Sequence, residues 1–158
     1  MTYPTTSIAW PLVQALTTLV AAHSTVTSSS PACPVYSAWP GDEIANTKQR
    51  LIWFENLKVP ESTWGPSQAG RKQRNQTITF DAKIAVLLGP SKSSDDAYDA
   101  VSGFVGSIED VIADDPSLGL TGLTLPSPPT FEMGEWQTPS GERAATATVS
   151  FSFDSRLH

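Results

Sequence analysis

Between Thr77 and Leu88 the chain reads TITFDAKIAVLL, with Ile78, Phe80, Ala82, Ile84, Val86 and Leu88 on every second position. In an extended backbone successive side chains point to opposite sides. This period therefore puts those six on one face and Thr77, Thr79, Asp81 and Lys83 on the other. Such a strand must bury its first face and leave the first half of the second in water. The end of the chain carries the same pattern. In RAATATVSFSF, Ala145, Ala147, Val149, Phe151 and Phe153 alternate with Thr146, Thr148, Ser150 and Ser152. The preceding TFEMGEWQT, joined to it through Pro139-Ser140-Gly141-Glu142, completes a hairpin pattern.

Two stretches carry the helical period instead. Ile8, Leu12, Ala15, Leu16, Leu19 and Val20 follow helical spacing, Ser7 can cap them, and the helix spans about residues 7–22. Pro11 suits the first turn, so the regular part can begin near Trp10. After Gly89-Pro90, Ser94 stands as N-cap before Asp95 and Asp96, where the helix dipole favours acids. Ala97, Val101, Phe104, Val105, Ile108 and Ile112 then make one apolar stripe, ending near Ala113 before Asp114-Asp115-Pro116. The segment from His23 to Pro34 reads as a linker, Val35 to Trp39 as a short strand, and Arg50 to Val59 as a strand of imperfect alternation. Pro60 to Gln76 has two prolines, two glycines and the cluster Arg71, Lys72 and Arg74, and reads as a long, mobile, outward-reaching loop. Gly119 to Pro129 reads as another loop. Strands surrounding one strong helix predict a single α+β domain with a mainly antiparallel sheet, the N-terminal helix and the amphipathic helix packed on it.

At 158 residues the chain fits one domain that buries roughly 68–70% of its unfolded surface. The lone Cys33 excludes an internal disulfide and a cysteine-rich metal cluster. A net charge of -6 argues against general nucleic-acid binding, which needs a basic surface. The charge is unevenly spread. No Asp, Glu, Lys or Arg occurs from Met1 to Gly41, and eight of the ten basic residues lie between Lys48 and Lys92. The uncharged start lacks the basic region of a secretory signal, and no run approaches the ~18 apolar residues of a membrane span.

Residues suited to catalysis are sparse. The two histidines are His23, in a Ser/Thr-rich segment, and the final residue His158, whereas nucleophilic mechanisms need a positioned imidazole. Cys33, between Ala32 and Pro34, reads as a small, half-buried thiol. No metalloprotease, phosphate-loop or dinucleotide motif occurs, and no cofactor or metal is expected. Asp95, Asp96, Asp99, Glu109, Asp110, Asp114 and Asp115 gather at the two ends of one helix, about 20 Å apart, as a solvated acidic face. Asn75-Gln76-Thr77 matches a glycosylation acceptor but opens a strand. Of the five tryptophans, Trp64 lies in the polar 60–76 segment and is the best interface anchor. The expected protein contacts are Trp64 with Arg71, Lys72 and Arg74, and the acids Asp95, Asp96 and Asp99.

In order, the chain has an N-terminal helix, the stretch Val35-Tyr36 followed by Pro40-Gly41, a strand and a long polar segment. A long alternating strand, a capped amphipathic helix and a hairpin ending in VSFSFDSRL complete it. This arrangement, from about Ile8 to Leu157, resembles the tail terminator proteins of long-tailed bacteriophages. The resemblance rests on arrangement, without a signature motif. It implies a non-enzymatic virion subunit, assembled in the host cytoplasm, that forms a six-membered ring on the tail tube. Such a ring ends tube polymerisation and offers a docking surface to the head-tail connector. The implied partners are copies of the chain, the tube protein and the connector, with no membrane, cofactor or specific nucleic acid. The chain departs from the family in the uncharged N-terminal third, which leaves open the ring surface that third would cover. Another neck component, a head-tail connector or stopper, is the alternative, followed by a monomeric binding module or small enzyme.

Overall fold

The structure, a computed structural model, describes residues 6–68 and 71–157, and the side chains of 66–68 and of 71–72 lie outside the description. Helices α1 (Ala9–Ala22), α2 (Ser24–Thr27), α3 (Asp42–Ala45) and α4 (Ser94–Asp114) accompany six strands. The strands are β1 (Val35–Tyr36), β2 (Arg50–Gln68), β3 (Arg71–Leu88), β4 (Leu123–Thr124), β5 (Thr130–Gln137) and β6 (Arg143–Leu157). They form one sheet in the order β1-β2-β3-β6-β4, with β5 also on the outer side of β6. Every pairing is antiparallel except the short β1–β2 contact. The fold is α+β.

The ladder between β3 and β6 runs unbroken from Arg74 opposite Leu157 to Leu88 opposite Arg143. Because register fixes which side chains share a face, it sets Ile78 against Phe153, Phe80 against Phe151, and Ile84 against Ala147. Phe80 stacks on Phe151 at 4.9 Å and on Phe153 at 5.9 Å, and meets Phe54 of β2 edge-on. Offset aromatic packing of this kind adds to the gain from removing the rings from water. α4 packs on β3, β5 and β6, α1 packs on β2, and the two helices touch each other, so both cover this face. The six apolar residues expected on α4 are all buried. On α1 the buried residues are Leu12, Val13, Leu16 and Val20, whereas Leu19 of the expected stripe is 40% exposed.

The opposite face is a polar network. Lys83 Nζ donates to Thr148 Oγ1 at 2.9 Å and lies 3.6 Å from Glu55, Asn56 donates to Asp81, and Thr77 donates to Asp154.

The largest correction concerns residues 60–76, expected as a mobile loop. Of these, residues 60–68 and 71–76 form the outer half of the β2–β3 hairpin, with Ser62 opposite Gln76, Trp64 opposite Arg74 and Gln68 opposite Arg71. Ladder hydrogen bonds are made by the backbone, so Ser, Thr and Gln sustain them despite a loop-like composition. The prolines are absorbed at irregularities. Register shifts fall between Glu55 and Lys58, between Lys58 and Glu61, and between Trp64 and Ser67, the last two spanning Pro60 and Pro66. Each leaves three steps of β2 opposite two of β3, the signature of a β-bulge, and Asn56 takes the positive φ of 58° at the first.

Smaller corrections follow. The cap of α4 is Ser93 rather than Ser94, in a capping box with Asp96. The linker from His23 to Pro34 contains α2, the strand expected to Trp39 ends at Tyr36, and the loop after Gly119 contains β4. Ala9 N donates to Ser7 Oγ at 3.3 Å, although the capping position itself is Ile8. The expected terminal turn holds. Gly141 at φ 89° follows Pro139-Ser140, and Thr138 and Glu142 close the loop at 2.8 Å, a three-residue hairpin whose last position favours glycine.

Phe80→Ala should lower unfolding stability by about 3–5 kcal/mol in urea titration, because three ring contacts and their buried volume are lost together. Ser93→Ala should lower it by about 1 kcal/mol. The Asp96 carboxyl is held below its ordinary value of 3.8, chiefly by the Ser93 backbone N–H and then by its hydroxyl. Its contribution to stability is present above pH 3.8 and should be lost as pH falls through the lowered value, a loss that Ser93→Ala should reduce.

Candidate interaction surface

The sheet has two lateral edges. One is β2, which beyond its two-residue contact with β1 pairs, among the described residues, only with β3. An unpaired edge invites strand addition, and bulges and prolines are the usual deterrents. β2 carries three bulges and both Pro60 and Pro66, so its outer edge is suited to side-chain contact rather than to backbone pairing. From Lys48 to Arg74 there are six basic residues against Glu55 and Glu61.

Trp64 stands near the end of this hairpin and is 69% exposed, more than any other large hydrophobic residue described. A solvated indole costs free energy that an interface recovers, which is why tryptophan recurs among interface anchors. Directly across the ladder lies Arg74, partly buried, whose Nε has no hydrogen-bond partner among the described residues. Arg74 is also the last β3 residue paired with β6, so Trp64 and Arg74 mark the point where the hairpin leaves the body of the sheet. Arg71 and Lys72 continue β3 toward the tip, with side chains outside the described residues.

The elements beyond β6, and α4 over β3 and β6, come from an acidic part of the sequence. From Ser93 to Glu142 the chain has ten acidic residues and no Lys or Arg, and this stretch supplies α4, β4 and β5. The sequence pointed to Asp95, Asp96 and Asp99. All three sit in the first turns of α4, and Asp96 is engaged by the Ser93 cap. They lie beyond Leu88, whereas the hairpin lies at the other end of β3, about 45 Å away from Arg74 at ~3.3 Å per residue. The structure therefore does not bring the two sequence-predicted clusters together within one subunit.

The acids nearer the hairpin end are Glu109 and Asp110, because α4 runs back over the sheet toward β4, where Leu123 pairs with Ser155. There a groove of about 480 Å³ opens between the last turns of α4 and the segment 125–129. Ile112, Leu125, Pro126, Pro128 and Pro129 give it apolar walls, and exposed Glu109 and Asp110 stand on its rim. The prolines of 125–129 were readable as loop punctuation, but that α4 would lie beside them is a tertiary fact.

The groups with chemical potential have structural work. His23 Nδ1 accepts from Thr25 N at 3.1 Å, capping α2, and its Nε2 meets Asp110 Oδ2 at 3.1 Å, tying α2 to α4. His158 lies outside the described residues. Among the described residues no group of three His, Cys, Asp or Glu is placed to hold a metal ion. No described helix is long and apolar enough to cross a membrane. Cys33 is buried, and burial pushes its thiol up to about 12, the Arg50 charge opposing in part. A polar cleft of about 600 Å³ also opens near the base of the hairpin, lined by Glu61, Asn75, Thr77, Thr124 and Asp154 among others. No family model and no curated protein matches this chain.

Because thiolate is the reactive form, a disulfide reagent at pH 8 should modify Cys33 far more slowly in the native chain than in urea. The native state also holds the Cys33 proton above the ordinary value of 9.0. This contribution to stability is whole below pH 9.0 and should be lost as pH rises toward about 12, measurable as a falling unfolding midpoint that Cys33→Ala flattens.

Proposed function

We propose that this chain is a structural virion subunit that closes a phage tail tube as a ring of identical copies. On this reading the ring ends tube growth and offers the head-tail connector its docking surface. The observation that supports the reading is the lateral asymmetry of a single sheet. The β2–β3 hairpin carries an exposed tryptophan and a basic cluster, whereas α4 and the strands beyond β6 come from a stretch of ten acidic and no basic residues. A closed ring needs such heterologous contacts, in which one patch meets a different patch on the next copy. Opposite charges on the two patches favour head-to-tail over head-to-head encounters. The order of elements from Ile8 to Leu157 adds the likeness to tail terminators, whose ring is six-membered.

The hairpin is the element that would reach a neighbour or the tube. Reversing Arg71, Lys72 and Arg74 to Glu should weaken capping of tail tubes, scored by electron microscopy as the fraction of tubes bearing a terminal ring. The far-ultraviolet circular dichroism should be unchanged, because Arg71 and Lys72 lie beyond the β3–β6 ladder and Arg74 at its last pair. Full capping by the triple variant would remove the hairpin from the mechanism. Binding of the wild-type protein to portal complexes and not to tubes would replace the terminator by a connector.

A further inference from the structure

We propose that Trp64 at the hairpin of one copy seats in the groove between the C-terminal turns of α4 and the 125–129 segment of the next copy. The proposal rests on the ring reading and assigns its contact.

Three observations converge on this pair. Trp64 is the most exposed large hydrophobic residue described, and it is held on paired backbone rather than on a flexible loop, so docking it costs little ordering entropy. The groove has an apolar floor of Ile112 and Leu125 and is stiffened by Pro126, Pro128 and Pro129; its volume of about 480 Å³ accommodates an indole. The rims match in charge. Arg74, across the ladder from Trp64, is a partly buried cation, while Glu109 on the groove is an exposed carboxylate on a stretch without basic residues. An aromatic anchor in an apolar slot, beside an arginine that finds a carboxylate, is the composition of interface hot spots.

Geometry favours a second copy as the occupant. The hairpin stands on the β2 side of the sheet and the groove beyond β6 on the other, so a subunit has its plug and its socket on opposite flanks. A plug and socket on opposite flanks generate a ring or a filament. The acids Asp95 and Asp99 lie at the far end of α4 and serve as the contrast.

The test mixes full-length chains carrying Ser62→Cys, beside an intact Trp64 on the same side of β2, with chains carrying Pro126→Cys under mild oxidation. Buried Cys33 gives a low background. Disulfide-linked heterodimer should form at least roughly tenfold faster than when Ser62→Cys is mixed with Asp99→Cys, because contact raises the effective concentration of the two thiols. Wild-type association is followed in parallel by sedimentation. Oligomers with equal cross-linking to Pro126→Cys and Asp99→Cys overturn this contact and leave the ring reading standing. Monomers with no preferred cross-link, both without and with added tail tubes, overturn both.

Discussion

The uninterrupted ladder between β3 and β6 is the constraint on which the rest depends. Its register places every alternate residue from Ile78 to Val86 and from Ala145 to Phe153 on one face, where Phe80, Phe151 and Phe153 stack. A slip of one residue would send that whole set into water and the threonines and serines into the core, so the register is strongly specified. β2 can then only join on one side and β5 with β4 on the other, while α1 and α4 cover the apolar face. The basic hairpin and the acidic ends of α4 are thereby held apart, α4 lying across the β3–β6 seam with β4 and β5 beyond β6.

That separation shapes how such a chain can associate. β2 is long and largely unpaired on its outer side, and a flat strand in that position would aggregate through its backbone. The bulges and the two prolines oppose this, while the ladder sets Trp64 opposite Arg74. Contact is thereby left to side chains, which carry specificity, and opposite charge on the two flanks selects one orientation of encounter. The polar face of Lys83, Thr148 and Asp81 stays free of α1 and α4 in this arrangement.

Much of the fold was legible because burial and periodicity agree. The alternation of Thr77 to Leu88 and of Arg143 to Phe153 predicted both central strands and their faces, and the stripe from Ala97 to Ile112 predicted α4. Residues 60–76 were misread because their prolines, glycines and glutamines are the residues of loops, whereas pairing with β3 supplies the hydrogen bonds that composition cannot reveal. The alternation of RNQTITF already extends β3 backward from Thr77, and Thr63-Trp64 are good strand formers. The site was legible only in part. Trp64 and the basic cluster were visible, but their acidic counterpart was sought at Asp95, Asp96 and Asp99. Glu109 and Asp110 look no different in the sequence, and what distinguishes them is the course of α4 past the segment 125–129.

The most direct test of self-assembly is the mass of the purified protein in solution, followed by light scattering across a concentration series with and without added tail tubes. A ring-forming chain should grow from single chains to one closed species of fixed mass, in solution or on the tube ends, seen as a ring on imaging. A chain that stays monomeric at every concentration and ignores tubes, or one that grows without limit, would contradict ring assembly.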